Sequence, residues 1–307
     1  VIIGLYVLAD FGERHEAPRI LAIVAGVAIA ALAAGYGLLS LAALRNGEKP
    51  STIGIDRVGA YALIAAAVLS LVYLIPVVQR GVARLIRLRP GSPVAYLTVV
   101  FGLILIAQQL GSQVQQVAVT APLTYGDLLA QDIPFFVLAF VGVGIFIRRT
   151  PRETAQRLGL MPPAAAWWWL VALVAVGAFL AVAAGIEHVA NIVTPEQQKQ
   201  VTNVSNVLFS RFNSPAAVVF LGLLAGIVEE TLFRGALVPR LGVVVTAVLF
   251  AALHTQYAIS FATLEVLILG LALGWIRLYS KSTWPCMVTH AGYDIVVGLL
   301  GVALLPR

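Results

Sequence analysis

Two adjacent carboxylates, Glu229 and Glu230, stand in the middle of the apolar segment Pro215 to Pro239, and Arg234 follows one helical turn later. An ionisable side chain in hydrocarbon costs roughly 2.5 to 3.5 kcal/mol on insertion scales, so such groups face the protein interior and mark functional sites by default. Spacing separates the two acids. Glu230 and Arg234 are four residues apart with the acid first, the favourable order for a helical ion pair. That pair neutralises one carboxylate and leaves Glu229 for chemistry. Two of the chain's four histidines, His254 and His290, lie in later apolar segments. Phe250 and His254 share a helix face, and so do His290 and Asp294, where the acid can fix the tautomer of the imidazole. Carboxylates and imidazoles together are the groups of general acid–base chemistry.

For these residues to meet, the helices that carry them must turn back on one another. Glu229 lies 12 residues before Leu241 and His254 lies 13 after it. If Leu241-Gly242 is the turn of a helical hairpin, both sit about 18–20 Å from that turn, at equal depth on antiparallel neighbours. His290 and Asp294 are six and ten residues into the last helix. They should sit about 9–15 Å from the same membrane side, within side-chain reach. The plainer readings are a structural ion pair at Glu230–Arg234 and histidines that only join helices. Neither explains a second acid at the same depth.

The chain of 307 residues is 60% hydrophobic and 11% charged, with a mean hydropathy of +0.95. A soluble domain carries about 25% charge. The fold class expected is all-α, a polytopic integral membrane bundle of about nine transmembrane helices. These fall near residues 20–44, 58–78, 94–118, 129–147, 164–185, 215–239, 243–257, 261–279 and 284–305. Val1 to Ala9 is apolar but too short to span. The single cysteine, Cys286, excludes a disulfide framework and a cysteine-based metal site. The net charge of +6 does not imply nucleic acid, because the arginines cluster in short loops. Arg80 to Arg89 and Arg148 to Arg157 mark cytoplasmic loops. The connection with Asp127 and Asp132 reads as external. The loop at 45–57 should also be external, against its Arg45, Lys49 and Arg57. The polar stretch Ile186 to Ser214 reads as a connector. Gln108, Gln109 and Gln113 read as interhelical hydrogen-bonding groups, and Glu265 as interfacial or paired. Gly222/Gly226 and Gly270/Gly274 are small-residue pairs that allow close helix approach. The division expected is residues 1–160, N-terminal helices of unknown role without buried charge, and 161–307, which holds every unusual residue.

Glu229-Glu230-x3-Arg234, Phe250-x3-His254 and His290-x3-Asp294, in that order and each in an apolar segment, resemble the motif set of the CPBP family. That family comprises CAAX proteases and bacteriocin-processing enzymes, also called Abi, and includes the type II CAAX prenyl endopeptidases. The resemblance spans about Pro163 to Leu305. The prenyl endopeptidases usually carry Asn where this chain has Asp294. The resemblance implies an intramembrane glutamate endopeptidase: Glu229 as general base with His254, His290 with Asp294 at the oxyanion, and Glu230, Arg234 and Phe250 as supports. It implies a peptide or protein substrate at the bilayer, lipidated or not, and no cofactor. The Ala-, Gly- and Val-rich composition fits a bacterial plasma membrane, with the site opening to the cytoplasm. Three alternatives stay open. Glu229, His254 and His290 could hold zinc with an open position, although the nearby Arg234 disfavours a dication. The pocket could bind peptides without cleaving them, as a chaperone or regulatory subunit does. A transporter could use the same groups as a proton relay, but the second half-site expected of an inverted repeat is missing.

Overall fold

The computed structural model describes residues 1–111 and 121–303. Gln113 and the end of the expected third span lie outside the described residues. The N-terminal part comprises α1 (Ile2–Gly12), α2 (Glu16–Arg45), α3 (Pro50–Ile53), α4 (Arg57–Val72), α5 (Pro76–Leu85), α6 (Pro93–Gly111), α7 (Tyr125–Gly142) and α8 (Pro151–Leu158). Then come α9 (Trp167–Val193), α10 (Pro195–Leu208) and α11 (Pro215–Glu230). A π-helical segment, Thr231–Leu237, leads into α12 (Val238–Leu253), and α13 (Phe261–Ser280) and α14 (Trp284–Ala303) follow. This is the all-α membrane bundle that the hydropathy implies.

Among the described residues, seven helices are long and apolar enough to cross a membrane, or eight if the bent α4–α5 pair is one span. The expected second span is broken by 103° at Pro76, whose missing N–H ends the α4 ladder. The two expected spans either side of Leu241 form one 39-residue segment, Pro215–Leu253. It folds back at Gly242, whose φ of 77° is open to glycine and strained for other residues. The fold-back is direct: the Phe233 and Phe250 rings meet at 5.1 Å, whereas a straight helix would hold them roughly 25 Å apart. The return arm after Gly242 is short, roughly 16 Å against a hydrocarbon core of roughly 30 Å. His254 therefore ends up inside the bundle rather than at its far face.

Two expectations give way. The stretch Ile186 to Ser214 is not a plain connector, since α9 continues to Val193 and α10 starts at Pro195. The N-terminal part does bury charge. Asp10 is fully buried and pairs with Arg148, and Asp132 is 5% exposed. Asp132 reads with Asp127 as part of the external connection, although the expected span at 129–147 already covers it. Thr124 and Asp127 instead form a reciprocal capping box that starts the helix at Tyr125 and carries Asp132 inside. A second box, Thr150 with Glu153, starts α8; its backbone and side-chain hydrogen bonds hold the Glu153 carboxyl below the usual range.

α8 clamps the segment that carries the acids. Pro239 has no N–H, so the carbonyl of Gly235 lacks its α-helical donor. Arg157 supplies one: Nη1 donates to the Gly235 carbonyl at 3.0 Å and Nη2 to that of Ala236 at 3.1 Å. On the other side of the acids, α11 and α14 cross at glycine. A Cβ on Gly226 would lie 2.9 Å from the backbone N of Ala291, and one on Gly222 would lie 2.8 Å from Ile295. Gly270 and Gly274 seat α13 on α12 in the same way, against Phe250 and Val243.

Replacing Gly226 by Leu should therefore cost at least the 1–3 kcal/mol typical of overpacking, read as a lower unfolding midpoint in detergent. Gly177→Leu, with nothing within 4 Å of its Cβ position, should be near neutral. Equal midpoints would mean that α11 and α14 do not meet at Gly226.

Candidate active site

Glu230 is the last residue of α11. It is wholly buried, and its Oε1 accepts from Arg234 Nη1 at 2.8 Å, as the spacing predicts. The same oxygen also lies 2.8 Å from His290 Nδ1 on α14. A carboxylate can only accept, so Nδ1 carries the proton in this bond. Asp294, expected to orient His290, lies 3.5 Å from Nε2, a looser contact. Glu230 is thus the principal partner of His290 as well as of Arg234. Arg234 is 1% exposed and also donates from Nη2 to the Gly270 carbonyl at 3.2 Å, which ties in α13.

Phe250 joins the cationic and imidazole groups. Its ring lies 4.3 Å from the Arg234 guanidinium carbon, a cation–π contact. It packs edge-on against His254 at 5.0 Å and His290 at 5.9 Å. His254 caps α12, and its Nδ1 lies 2.9 Å from the Phe250 carbonyl. A carbonyl also only accepts, so the proton sits on Nδ1 and the lone pair of the neutral ring is on Nε2.

Glu229 is the acid left over. It has no ion pair among the described residues, and its Oε2 is buried without a hydrogen-bond partner. His290, Glu230 and Arg234 are all within electrostatic range of it. The seven residues singled out from the sequence thus fall in one cluster drawn from α11, the π segment, α12 and α14. No group of three or more His, Cys, Asp or Glu side chains with metal-binding geometry occurs among the described residues.

Several neighbours could not be read from spacing. The Tyr257 ring stacks on His254 at 6.0 Å, from the connection between α12 and α13. Burial, then the charges of Asp294 and Glu265, push its phenol up to about 12, so it remains an O–H donor at neutral pH. Tyr293 donates to Glu265 at 2.6 Å, which settles Glu265 as a paired acid. Gln109 donates to the Ala258 carbonyl at 2.6 Å and fastens the same connection to α6. Asp132 on α7 is within electrostatic range of Glu229; its place inside the expected span at 129–147 is the signal for it. The π segment is invisible to a 3.6-residue period, and such segments concentrate at functional sites.

The fold and this cluster define a polytopic membrane protein with an acid–imidazole–guanidinium site enclosed by its C-terminal helices. Residues 211–296 match the family described as type II CAAX prenyl endopeptidase Rce1-like, which supports assigning the chain to the CPBP/CAAX protease family. No curated protein and no solved structure matches the chain. The matched segment contains all seven site residues.

Removing one member of the buried pair should be costly. Arg234→Met leaves buried Glu230 with His290 as its one remaining partner, and we expect a loss of about 3–5 kcal/mol, measured by denaturant or thermal unfolding in detergent. The double variant Glu230→Gln/Arg234→Met should recover part of that loss; strictly additive costs would mean the pair is not coupled.

Proposed function

We propose that the protein is an intramembrane endopeptidase in which Glu229 activates water. The observation that carries this reading is the division of labour between the two acids. Each acid has a buried Oε2 without a partner, but Oε1 of Glu230 is committed to Arg234 and His290, whereas Glu229 has no ion pair and no side-chain hydrogen bond among the described residues. In the reaction, Glu229 takes a proton from water as the hydroxide adds to the scissile carbonyl. Nε2 of His254 faces the same water as an acceptor. The oxyanion accepts from His290 Nε2–H, whose ring is oriented by the Glu230 bond at Nδ1. A preorganised donor in an enclosed site is worth more than one in water. As the C–N bond breaks, the proton held by Glu229 passes to the leaving amine. Asp294 shares His290 Nε2 and steadies the ring; Arg234 and Phe250 hold Glu230 and the two imidazoles.

The substrate is a peptide bond in a membrane-associated or lipidated protein, the class that the family match supports. The arginine-rich ends of α5 and α8 support a cytoplasmic opening in a bacterial plasma membrane. The N-terminal helices, residues 1–160, act as the scaffold for the protease domain, 161–307: Arg157 and α7 brace the helix that carries the acids. No cofactor is required by this scheme.

Cleavage of a membrane-proximal peptide library by purified protein tests the scheme. Glu229→Gln should lower the rate at least about 10²-fold, and so should His254→Ala and His290→Ala. Near-normal cleavage by Glu229→Gln would sink the glutamate mechanism. Activity lost to a chelator and restored by zinc would replace it with the metal version. Peptide binding without cleavage by the unaltered protein would favour a non-catalytic partner.

A further inference from the structure

Away from the site, two cavities adjoin between the N-terminal helices and the π segment. One is apolar, about 380 Å³, walled by Phe101 and Leu105 of α6, Phe135 and Leu138 of α7, Phe233 and Leu249. It is elongated: its lining follows α6 from Ser92 to Gln108, roughly 24 Å at 1.5 Å per residue. That exceeds one leaflet, half of a hydrocarbon core of roughly 30 Å. The other cavity, about 550 Å³, is polar and lies at the basic end. The two share Glu13, Arg89, Ser92 and Arg148, and Arg157 and Arg240 stand at the mouth of the apolar one.

The mouth has more cations than its acids can match. Asp10 pairs with Arg148, Glu13 accepts from the Ser92 hydroxyl, and Glu153 is held by Thr150. Arg89 and Arg240 have no carboxylate partner among the described residues, and the buried Nε of Arg148 has no hydrogen-bond acceptor. Burial and then the neighbouring Arg240 and Arg149 pull the Arg157 guanidinium down to about 10. Uncompensated guanidinium groups packed together at a membrane surface call for an anion with several acceptor oxygens.

We propose that this double cavity binds an anionic phospholipid, with its phosphate among Arg89, Arg148 and Arg240 and one acyl chain in the apolar cleft. Charge complementarity selects the head, and the long apolar wall selects a chain-bearing ligand over a free anion. The site is distinct from the candidate active site, although Phe233 lines the one and its ring neighbour Phe250 lies in the other. The inference therefore stands or falls independently of the proposed protease activity.

Native mass spectrometry of the detergent-purified protein with equal phosphatidylglycerol and phosphatidylcholine tests it. We expect phosphatidylglycerol to be retained at least about tenfold over phosphatidylcholine, the scale of one charged hydrogen bond. Arg89→Gln/Arg240→Gln should bring the ratio near one, while Arg240→Lys, which keeps the charge, should retain most of it. Leu105→Trp, which fills the cleft, should reduce retention of phosphatidylglycerol. Arg240→Gln alone gives the same readout should the double variant not fold. Equal retention of both lipids by the unaltered protein, or an unchanged ratio in the arginine variants, would overturn the proposal. Inorganic phosphate competing fully while Leu105→Trp has no effect would make this a free-phosphate site and also overturn it. So would displacement by an uncharged prenylcysteine methyl ester that ignores the arginine changes, because the cleft would then hold a substrate's lipid chain.

Discussion

One carboxylate oxygen, Oε1 of Glu230, accepts from a guanidinium on its own helix and an imidazole on the last helix. Burying that carboxylate is costly unless its partners are also buried and well placed. Much of the surrounding architecture serves this condition. Gly222 and Gly226 let α14 come close enough to deliver His290. The Gly270 carbonyl accepts from Nη2 of Arg234, and the face of Phe250 covers its guanidinium. Arg157 donates to the Gly235 carbonyl, which Pro239 leaves without its α-helical donor, and to that of Ala236, so the segment bearing Arg234 keeps its place. Loss of any one of these contacts loosens the packing that keeps the buried charge pair in place.

The bundle was legible in the sequence because its signal is long and redundant. Twenty apolar residues read as a span almost regardless of their order. The pairing of Glu230 with Arg234 and the fold-back at Gly242 were legible too, since i,i+4 spacing and a residue count from a turn are local geometry. The contact between Glu230 and His290 was not, because it depends on how closely two helices 60 residues apart approach. Spacing favoured Asp294 as the partner of His290, and tertiary packing gave that place to Glu230. The interior position of Asp132 was lost for another reason: it was read with Asp127 as part of the external connection although the expected span began at 129, and apolar run length says nothing of which helix face is buried.

The N-terminal helices also look different once packed. From the sequence they were membrane helices of unknown role without buried charge. In the fold, α6 and α7 wall the cleft that touches Phe233, Gln109 pins the connection carrying Tyr257, and α8 grips the π segment. The boundary near residue 160 is thus crossed by polar contacts as well as by apolar packing, among them the hydrogen bond from Thr283 to the Leu158 carbonyl at 2.6 Å.

The fold-back at Gly242 also bears on the order of assembly. Arg234, Phe250 and His254 meet within a stretch of about twenty residues, so closing that loop costs little chain entropy. His290 comes from the last helix and closes a much longer loop. Chain synthesis runs in the same direction, with the hairpin complete before α14 emerges. Glu230 then has its guanidinium partner from the outset, and its imidazole partner arrives last. A half-made chain therefore holds Glu230 already neutralised by Arg234, and the complete constellation exists only in a finished bundle.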